Sequence, residues 1–275
     1  MKKIVCLGPE GTYSDIAANL YNTDNLPIEY YPSIIKVLDN VDNDTIAIVP
    51  FENTLDGFVM ETLDKIIAND LVIRDQLKLN IDFAFVSNTE RLEDVKEVYA
   101  QFKAYGQCLN FIENNSFNVV KTESNIESLK RLLDSGKEFG AIVPMHVLSD
   151  YNFPLVIEHI ADSKNNETRF FVLDNKKELN RYDDDFDVSI VITSINDRPG
   201  ILFEILTGFH KYNINLKSIL SRPDKTGMGR YNFFIEFSIL KSQSKAFYNS
   251  IENYSVDNNF KIILLGVYKA LKWIH

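Results

Sequence analysis

Only two cysteines occur in 275 residues, Cys6 and Cys108, and their separation excludes a disulfide framework and any CxxC redox or zinc motif. No apolar run approaches the ~18 residues a membrane-spanning helix needs, so no membrane partner is expected. The run Ile4 to Leu7 behind Met1-Lys2-Lys3 is ended by Gly8-Pro9-Glu10-Gly11, too soon for a signal peptide. Neither a G-x-G-x-x-G fingerprint nor a P-loop is present, and pyridoxal-phosphate motifs are missing, which disfavours an oxidoreductase or aminotransferase. Positive charge is in deficit. The 29 Lys and Arg face 39 Asp and Glu, and a net charge of -10 argues against nucleic acid or an anionic membrane as partner. Any anionic ligand must then be met locally, by backbone N–H groups, helix N-termini or an arginine. The four histidines, His146, His159, His210 and His275, have no metal-ligand spacing, so they read as structural or surface residues and no metal is expected. Cys6 and Cys108 read as small buried groups rather than nucleophiles, the latter in a helix, and the single Trp273 as packing. A reduced cytoplasm is the simplest setting.

What is present is ordinary globular material, 45% hydrophobic and 25% charged, in a chain long enough for two folding units. The first half alternates short β-branched runs with amphipathic stretches: Lys3 to Leu7, a helix from about Ser14, Ile28 to Tyr31, a helix from Ser33, Thr45 to Val49. That rhythm predicts a covered, mostly parallel sheet. A helix is expected over Gly57 to Asn69, on the stripe Val59, Leu63, Ile66 and Ile67, and an extended segment over Leu71 to Val86. A second α/β series spans Val95 to His159, and strands Leu155 to Ile160 and Thr168 to Leu173 return from it. The interruption predicts two lobes joined by two crossovers, with a ligand cleft between them. The polar stretch Asn175 to Asp187, ending Asp183-Asp184-Asp185-Phe186-Asp187, reads as a solvated hinge; it lacks the glycine of a calcium loop. Beyond it the pattern is βαββαβ, which is ferredoxin-like.

Three blocks lie where α/β ligand sites form. Gly8-Pro9-Glu10-Gly11-Thr12-Tyr13-Ser14 joins the first strand to the first helix and offers an anion the helix N-terminus; a plain βα turn is the alternative. Pro50-Phe51-Glu52-Asn53-Thr54-Leu55-Asp56-Gly57 puts a carboxylate, an amide and a hydroxyl on consecutive residues at a strand's carboxyl edge, or is simply a capping turn. Asn166-Glu167-Thr168-Arg169-Phe170 enters a strand, where Thr168 and Arg169 face opposite ways unless the strand begins irregularly.

In this order the blocks resemble the GP-x-GT-x-S, P-x-E-N-S/T-x-x-G and N-x-TRF motifs of the prephenate dehydratase family, and the C-terminal region resembles an amino-acid-binding ACT module. A further family stretch, S-H-P-Q-A-L-x-Q-C, reads Ala100-Gln101-Phe102-Lys103-Ala104-Tyr105-Gly106-Gln107-Cys108, with Ala100 in place of serine and Tyr99 or Tyr105 as a nearby hydroxyl. The resemblance implies a two-lobed, periplasmic-binding-protein-like catalytic domain over 1–178, its second lobe roughly 79–160, and an α+β ACT regulatory domain over 187–275. It implies decarboxylation and dehydration of prephenate to phenylpyruvate in phenylalanine biosynthesis, without cofactor, under phenylalanine feedback in a homodimer or homotetramer. Arogenate dehydratase and a noncatalytic small-molecule sensor are the alternatives. By resemblance Thr168 acts on the departing hydroxyl, relaying a proton from water or Glu52. Gly11, Thr12, Ser14, Glu52, Asn53, Thr54, Gln107, Arg169 and Phe170 contact substrate, Arg169 binding carboxylate or organising the pocket. Pro199, Gly200, Ile201 and Leu202, after Asp197-Arg198, and Ser221, Arg222 and Pro223 are the effector residues. Leu220 stands where an acidic residue is usual, which predicts weakened pairing with a ligand ammonium.

Overall fold

Four runs of the first half, β1 (Lys3–Leu7), β2 (Ile28–Tyr31), β3 (Thr45–Asn53) and β5 (Val72–Asn80), build the first lobe with α1 (Tyr13–Tyr21), α2 (Ile34–Asp39) and α3 (Met60–Ala68). The structure is a computed structural model that describes residues 2–194, 198–224, 231–252 and 260–270; Asp197, Trp273 and His275 lie outside them. Parallel β1 sits between β2 and β3, and the Thr12 and Ser33 side chains cap α1 and α2, as short polar residues at a helix start should. The helix expected from Gly57 begins later. Gly57–Phe58 (β4) instead folds back on β3, and the Val59 N–H donates to the Phe51 carbonyl (2.7 Å), so the chain completes a hairpin before it coils.

The extended segment expected over Leu71 to Val86 is also two strands, because the Ile81 N–H leaves the ladder for the Asn166 carbonyl (2.7 Å). There the chain crosses into the second lobe: β6 (Phe83–Ser87), β7 (Glu97–Gln101), α4 (Phe102–Gln107), α5 (Leu109–Asn114), β8 (Asn118–Thr122), α6 (Asn125–Leu133), β9 (Phe139–Pro144) and β10 (Leu155–Ile157). Its sheet runs β10-β6-β9-β7-β8. Cys108 lies at the joint of α4 and α5 rather than within a helix. The chain then returns as β11 (Glu167–Asp174), which inserts antiparallel between β3 and β5 of the first lobe. Two lobes with two crossovers result, the binding-protein-like layout read from the interrupted α/β pattern.

The C-terminal module is βαββαβ: β12 (Phe186–Ser194), α7 (Ile201–Lys211), β13 (Leu216–Pro223), β14 (Tyr231–Ile239), α8 (Ser244–Glu252) and β15 (Phe260–Lys269). One face of its sheet packs on its own helices, around Val188, Ile190, Ile201, Ile205, Ile235 and Phe237. The other face meets the first lobe: Val191, Phe234, Leu265 and Tyr268 share one buried cluster with Phe51, Leu63, Ile66 and Phe171. The sheets are continuous through Gly266 of β15, which pairs with Ile73 of β5. A Cβ on Gly266 would lie 2.3 Å from the Ile73 carbonyl oxygen, so the joint requires glycine. The acidic run before β12 is only partly the solvated hinge expected. Asp183, Asp184 and Asp185 are exposed, but Asp187 is 1% exposed and accepts from Gln76 (2.7 Å), Lys217 (2.7 Å) and Ser238 (2.7 Å). No helix among the described residues is long and apolar enough to cross a membrane.

Candidate active site

The carboxyl end of β3 and the start of β11 pair so that Thr168 lies opposite Asn53 and Arg169 opposite Glu52. Asn53 is held by its oxygen: Oδ1 accepts from the N–H groups of Leu55 (2.9 Å) and Asp56 (3.0 Å). Its Nδ2 therefore points into the strand pair, where it donates to Thr168 Oγ1 (2.9 Å), Asn166 Oδ1 (2.8 Å) and the Glu167 carbonyl (3.2 Å). That fixes the next amide. Asn166, 1% exposed, has Nδ2 left to donate across the lobes to Gln107 Oε1 (2.9 Å). Each amide orientation follows from the one before it, down to Gln107 at the end of α4. Two donors emerge without an acceptor among the described residues, the Thr168 hydroxyl proton and Gln107 Nε2. Thr54 ties the blocks together, donating to the Asn165 carbonyl (2.9 Å) and accepting from the Glu167 N–H (3.0 Å).

The turn ahead of α1 is bonded to the second lobe. Gly11, at φ 83°, gives its carbonyl to His146 Nε2 (3.0 Å) and leaves the space of a side chain to Ile126. Burial holds the His146 imidazole below its ordinary pKa, so the ring is neutral and its Nε2–H is the donor. Tyr13 donates to the Asp82 carbonyl (2.7 Å) at the first crossover. The Gly11 N–H goes to the buried Asp15 carboxylate (2.8 Å), which also accepts from Tyr30 (2.7 Å), and the Thr12 hydroxyl donates to the Leu7 carbonyl (3.3 Å), so neither group is open to an anion; Ser14 beside them is buried. Asp15 and His146 carry no signal in the sequence blocks; each is found only through the fold.

Arg169 projects from the opposite face. The pairing of β11 with β3 slips between Arg169 and Phe170, an irregularity of the kind that could have turned Thr168 and Arg169 together, yet the two side chains still diverge. The guanidinium lies beside the stacked rings of Phe51 and Phe171 (5.1 and 5.2 Å to the centroids) and forms ion pairs with Glu52 (2.9 Å) and with Glu236 of β14 (2.8 Å). Arg169 and Glu52 are thus paired with each other on the face away from the Thr168 side chain, toward the C-terminal module. Phe170 is core, packed with Ile4, Cys6, Ala17 and Ile48. Ala100 is buried too, and the Tyr99 hydroxyl is bonded to Ser135 (3.1 Å) while its ring stacks on Phe139. Tyr105 packs on the cluster that contains Ala100. Cys6 and Cys108 are fully buried; desolvation pushes the Cys6 thiol up to about 12 and raises that of Cys108 as well, which keeps both protonated.

The expected effector residues fall on two elements. Gly200, at φ 90°, is the N-cap of α7, with Pro199 exposed before it, Ile201 buried and Leu202 exposed. On edge strand β13, Ser221 and Pro223 face outward, whereas Arg222 turns to Asp64 of α3 (2.8 Å) and Leu220 packs on the cluster around Phe51. Leu220 therefore serves the contact between module and lobe.

The sequence model of the prephenate dehydratase family matches residues 4–178, and that of the ACT domain matches residues 188–242. A prephenate dehydratase of Methanocaldococcus jannaschii is 33% identical over 272 residues, covering 97% of this chain and 98% of that protein. The chain belongs to the prephenate dehydratase family. Its activity is that of prephenate dehydratase, a carbon–oxygen lyase of phenylalanine biosynthesis, with an ACT domain following the catalytic one. The crystal structure of the prephenate dehydratase of Staphylococcus aureus superposes with a TM-score of 0.82 at 29% identity, over 97% of this chain and 100% of that one. The fold is also that of a prephenate dehydratase from Arthrobacter aurescens solved in complex with L-Phe, with a TM-score of 0.80 at 24% identity over 98% of this chain and 90% of that one. Prephenate has two carboxylates and a ring hydroxyl, so a prephenate dehydratase needs donors aimed into its cleft, and Thr168 and Gln107 are the two the amide chain leaves unclaimed.

Proposed function

We propose that Thr168 is the catalytic residue, hydrogen-bonding to the ring hydroxyl of prephenate as it leaves. When the bond to CO2 breaks, its electron pair enters the ring and expels the hydroxyl, which departs as water once protonated. Aromatisation supplies the driving force, so the protein needs only to hold the dianion and stabilise the charge growing on the leaving oxygen. A threonine hydroxyl is too weak an acid to be ionised by its neighbours; it serves as an oriented donor, and water supplies the proton. The observation that carries this reading is the bond from Asn53 Nδ2 to Thr168 Oγ1. It occupies the oxygen as acceptor and turns the hydroxyl proton outward. Gln107 Nε2, Ser14 and the positive end of α1 complete the reading as contacts for the carboxylates. An absorbance assay for phenylpyruvate tests it: Thr168→Ala is expected to keep KM within a few fold while kcat collapses, and an unchanged kcat would remove Thr168 from the mechanism.

Phenylalanine is the proposed effector, bound where ACT modules of two subunits meet in a cytoplasmic homo-oligomer. Three features support this: Gly200 stands in open space at a helix N-terminus, Leu202, Phe203 and Leu206 are exposed beside it, and the Arthrobacter relative was solved with L-Phe. Calorimetry with phenylalanine at millimolar concentration, alongside sedimentation, is the check; no binding heat would sink the assignment.

A further inference from the structure

Arg169 directly follows Thr168, and its counter-charge comes from the regulatory module. Its Nη1 and Nη2 donate to Glu236 Oε1 (2.9 Å) and Oε2 (2.8 Å), a bidentate pair. Glu236 is 1% exposed and otherwise accepts from Tyr268 (2.8 Å), Ser218 (2.9 Å) and, at 3.5 Å, Ser189, all of the same module. A guanidinium packed against the stacked rings of Phe51 and Phe171 cannot remain buried without a carboxylate. Glu52 supplies one, but Glu52 is half-buried, whereas Glu236 is enclosed and grips both terminal nitrogens. Arg169 Nε is buried with no acceptor among the described residues, so the two carboxylates and a longer contact to Gln76 (3.3 Å) are its hold. The strand pairing slips at Arg169, opposite Glu52, and the next pair is Thr168 with Asn53. Whatever fixes Arg169 therefore fixes, one residue away on each strand, the hydroxyl and the amide that aims it.

We infer that Glu236 is a positioning residue for the dehydration step: from the ACT sheet it holds Arg169, and through Arg169 it sets the register that points the Thr168 hydroxyl into the cleft. The inference rests on the proposed role of Thr168. It gives the regulatory strands β13 and β14 a physical hold on the catalytic strand, because Ser218 and Glu236 belong to one hydrogen-bonded group.

The test is kinetic, on the full-length chain without phenylalanine, with circular dichroism confirming the fold. Glu236→Gln is expected to lower kcat about tenfold or more with KM within threefold, whereas Glu236→Asp, which keeps the charge, stays within threefold of the parent. In a Thr168→Ala background Glu236→Gln should cost no more than about twofold, because the hydroxyl it would position is gone. An unchanged kcat in folded Glu236→Gln overturns the inference, as does the same tenfold loss in the Thr168→Ala background, which would mark a general structural effect. Thr168→Ala measured alone separates the failures: a parental kcat there sinks the proposed role of Thr168, while a collapse there with no loss from Glu236→Gln sinks only the role of Glu236. Should Glu236→Gln not fold, Arg169→Lys decides, since lysine keeps the charge but loses the two-pronged grip. A fivefold or larger fall in kcat at constant KM supports the inference and a parental kcat overturns it.

Discussion

At Asn53 the question is which way a proton points. The Asn53 amide is anchored by two backbone N–H groups, so it must donate to Thr168, and Thr168 must donate elsewhere. Replacing the amide with a carboxylate reverses that order. In Asn53→Asp the side chain has no N–H to give, Thr168 donates to it, and the proton leaves the cleft. Both Asn53→Asp and Thr168→Ala are therefore expected to lower kcat by about 10²–10³, the range seen when one oriented donor to a developing oxyanion is lost. Steady-state kinetics on folded variants checks this, and a parental kcat in Asn53→Asp would disprove the direction assigned to the amide. The residues of this site were legible as motif letters, and strand alternation already set Thr168 against Arg169. Their partners were not: Asn166 lies in a quoted block but its bridge to Gln107 spans 59 positions, and nothing local distinguishes it from a surface amide.

Among the elements, the regular ones were readable because their periodicity is local; β1 and β2 fall where the pattern puts them. What failed were the places where long-range pairing overrides the local stripe. Val59, Leu63 and Ile66 suit a helix from Gly57, but β3 claims Gly57–Phe58 as a partner first. The acidic run before β12 looks solvated, yet Asp187 is drawn into the contact between module and lobe by Gln76 and Lys217. That contact also decides a prediction about β15. Gly266 has no room for a methyl group against the Ile73 carbonyl oxygen (2.3 Å), and the obstacle is backbone rather than a side chain that can turn away. Gly266→Ala is expected to cost about 1–3 kcal/mol as the two sheets are pushed apart, seen as a lower thermal midpoint. Gly200→Val strains a left-handed position instead, where the surroundings are open, so it should abolish phenylalanine inhibition and leave uninhibited turnover mostly intact. Inhibition that survives in the valine variant would move the effector away from α7.

On the scale of the whole molecule, the catalytic and ACT parts match separate sequence families but form one continuous sheet, and the charge buried between them predicts that their union depends on pH. Only a hint of this is in the sequence, a lone glutamate inside Phe233-Phe234-Ile235-Glu236-Phe237, where no polar face is expected. Burial would push the Glu236 carboxyl up, but the charge of Arg169 and hydrogen bonds from Arg169, Tyr268 and Ser218 outweigh it and hold the group below its ordinary value of 4.5. The sign follows from linkage. A carboxyl with a depressed folded pKa contributes its full stability above the unfolded value, and that contribution is lost as pH falls through the folded one. Arg169 is shifted upward by the same pair and so stays charged throughout this window. Glu52 shares the Arg169 Nη2 with Glu236 (2.9 and 2.8 Å), and the Tyr268 phenol, raised by burial, remains neutral. Acid should therefore loosen the junction between module and lobe as Glu236 protonates. Other depressed carboxyls, such as Asp39, Asp42 and Glu204, are exposed and common to parent and variant, so their effects cancel in a comparison. Glu236→Gln is expected to be less stable than the parent at pH 7, by about 3–5 kcal/mol for breaking a buried pair, and to lose less further stability below pH 4.5. Thermal unfolding of both chains from pH 7 down to pH 3 measures it. Parallel curves would show that Glu236 does not carry the acid sensitivity of the junction.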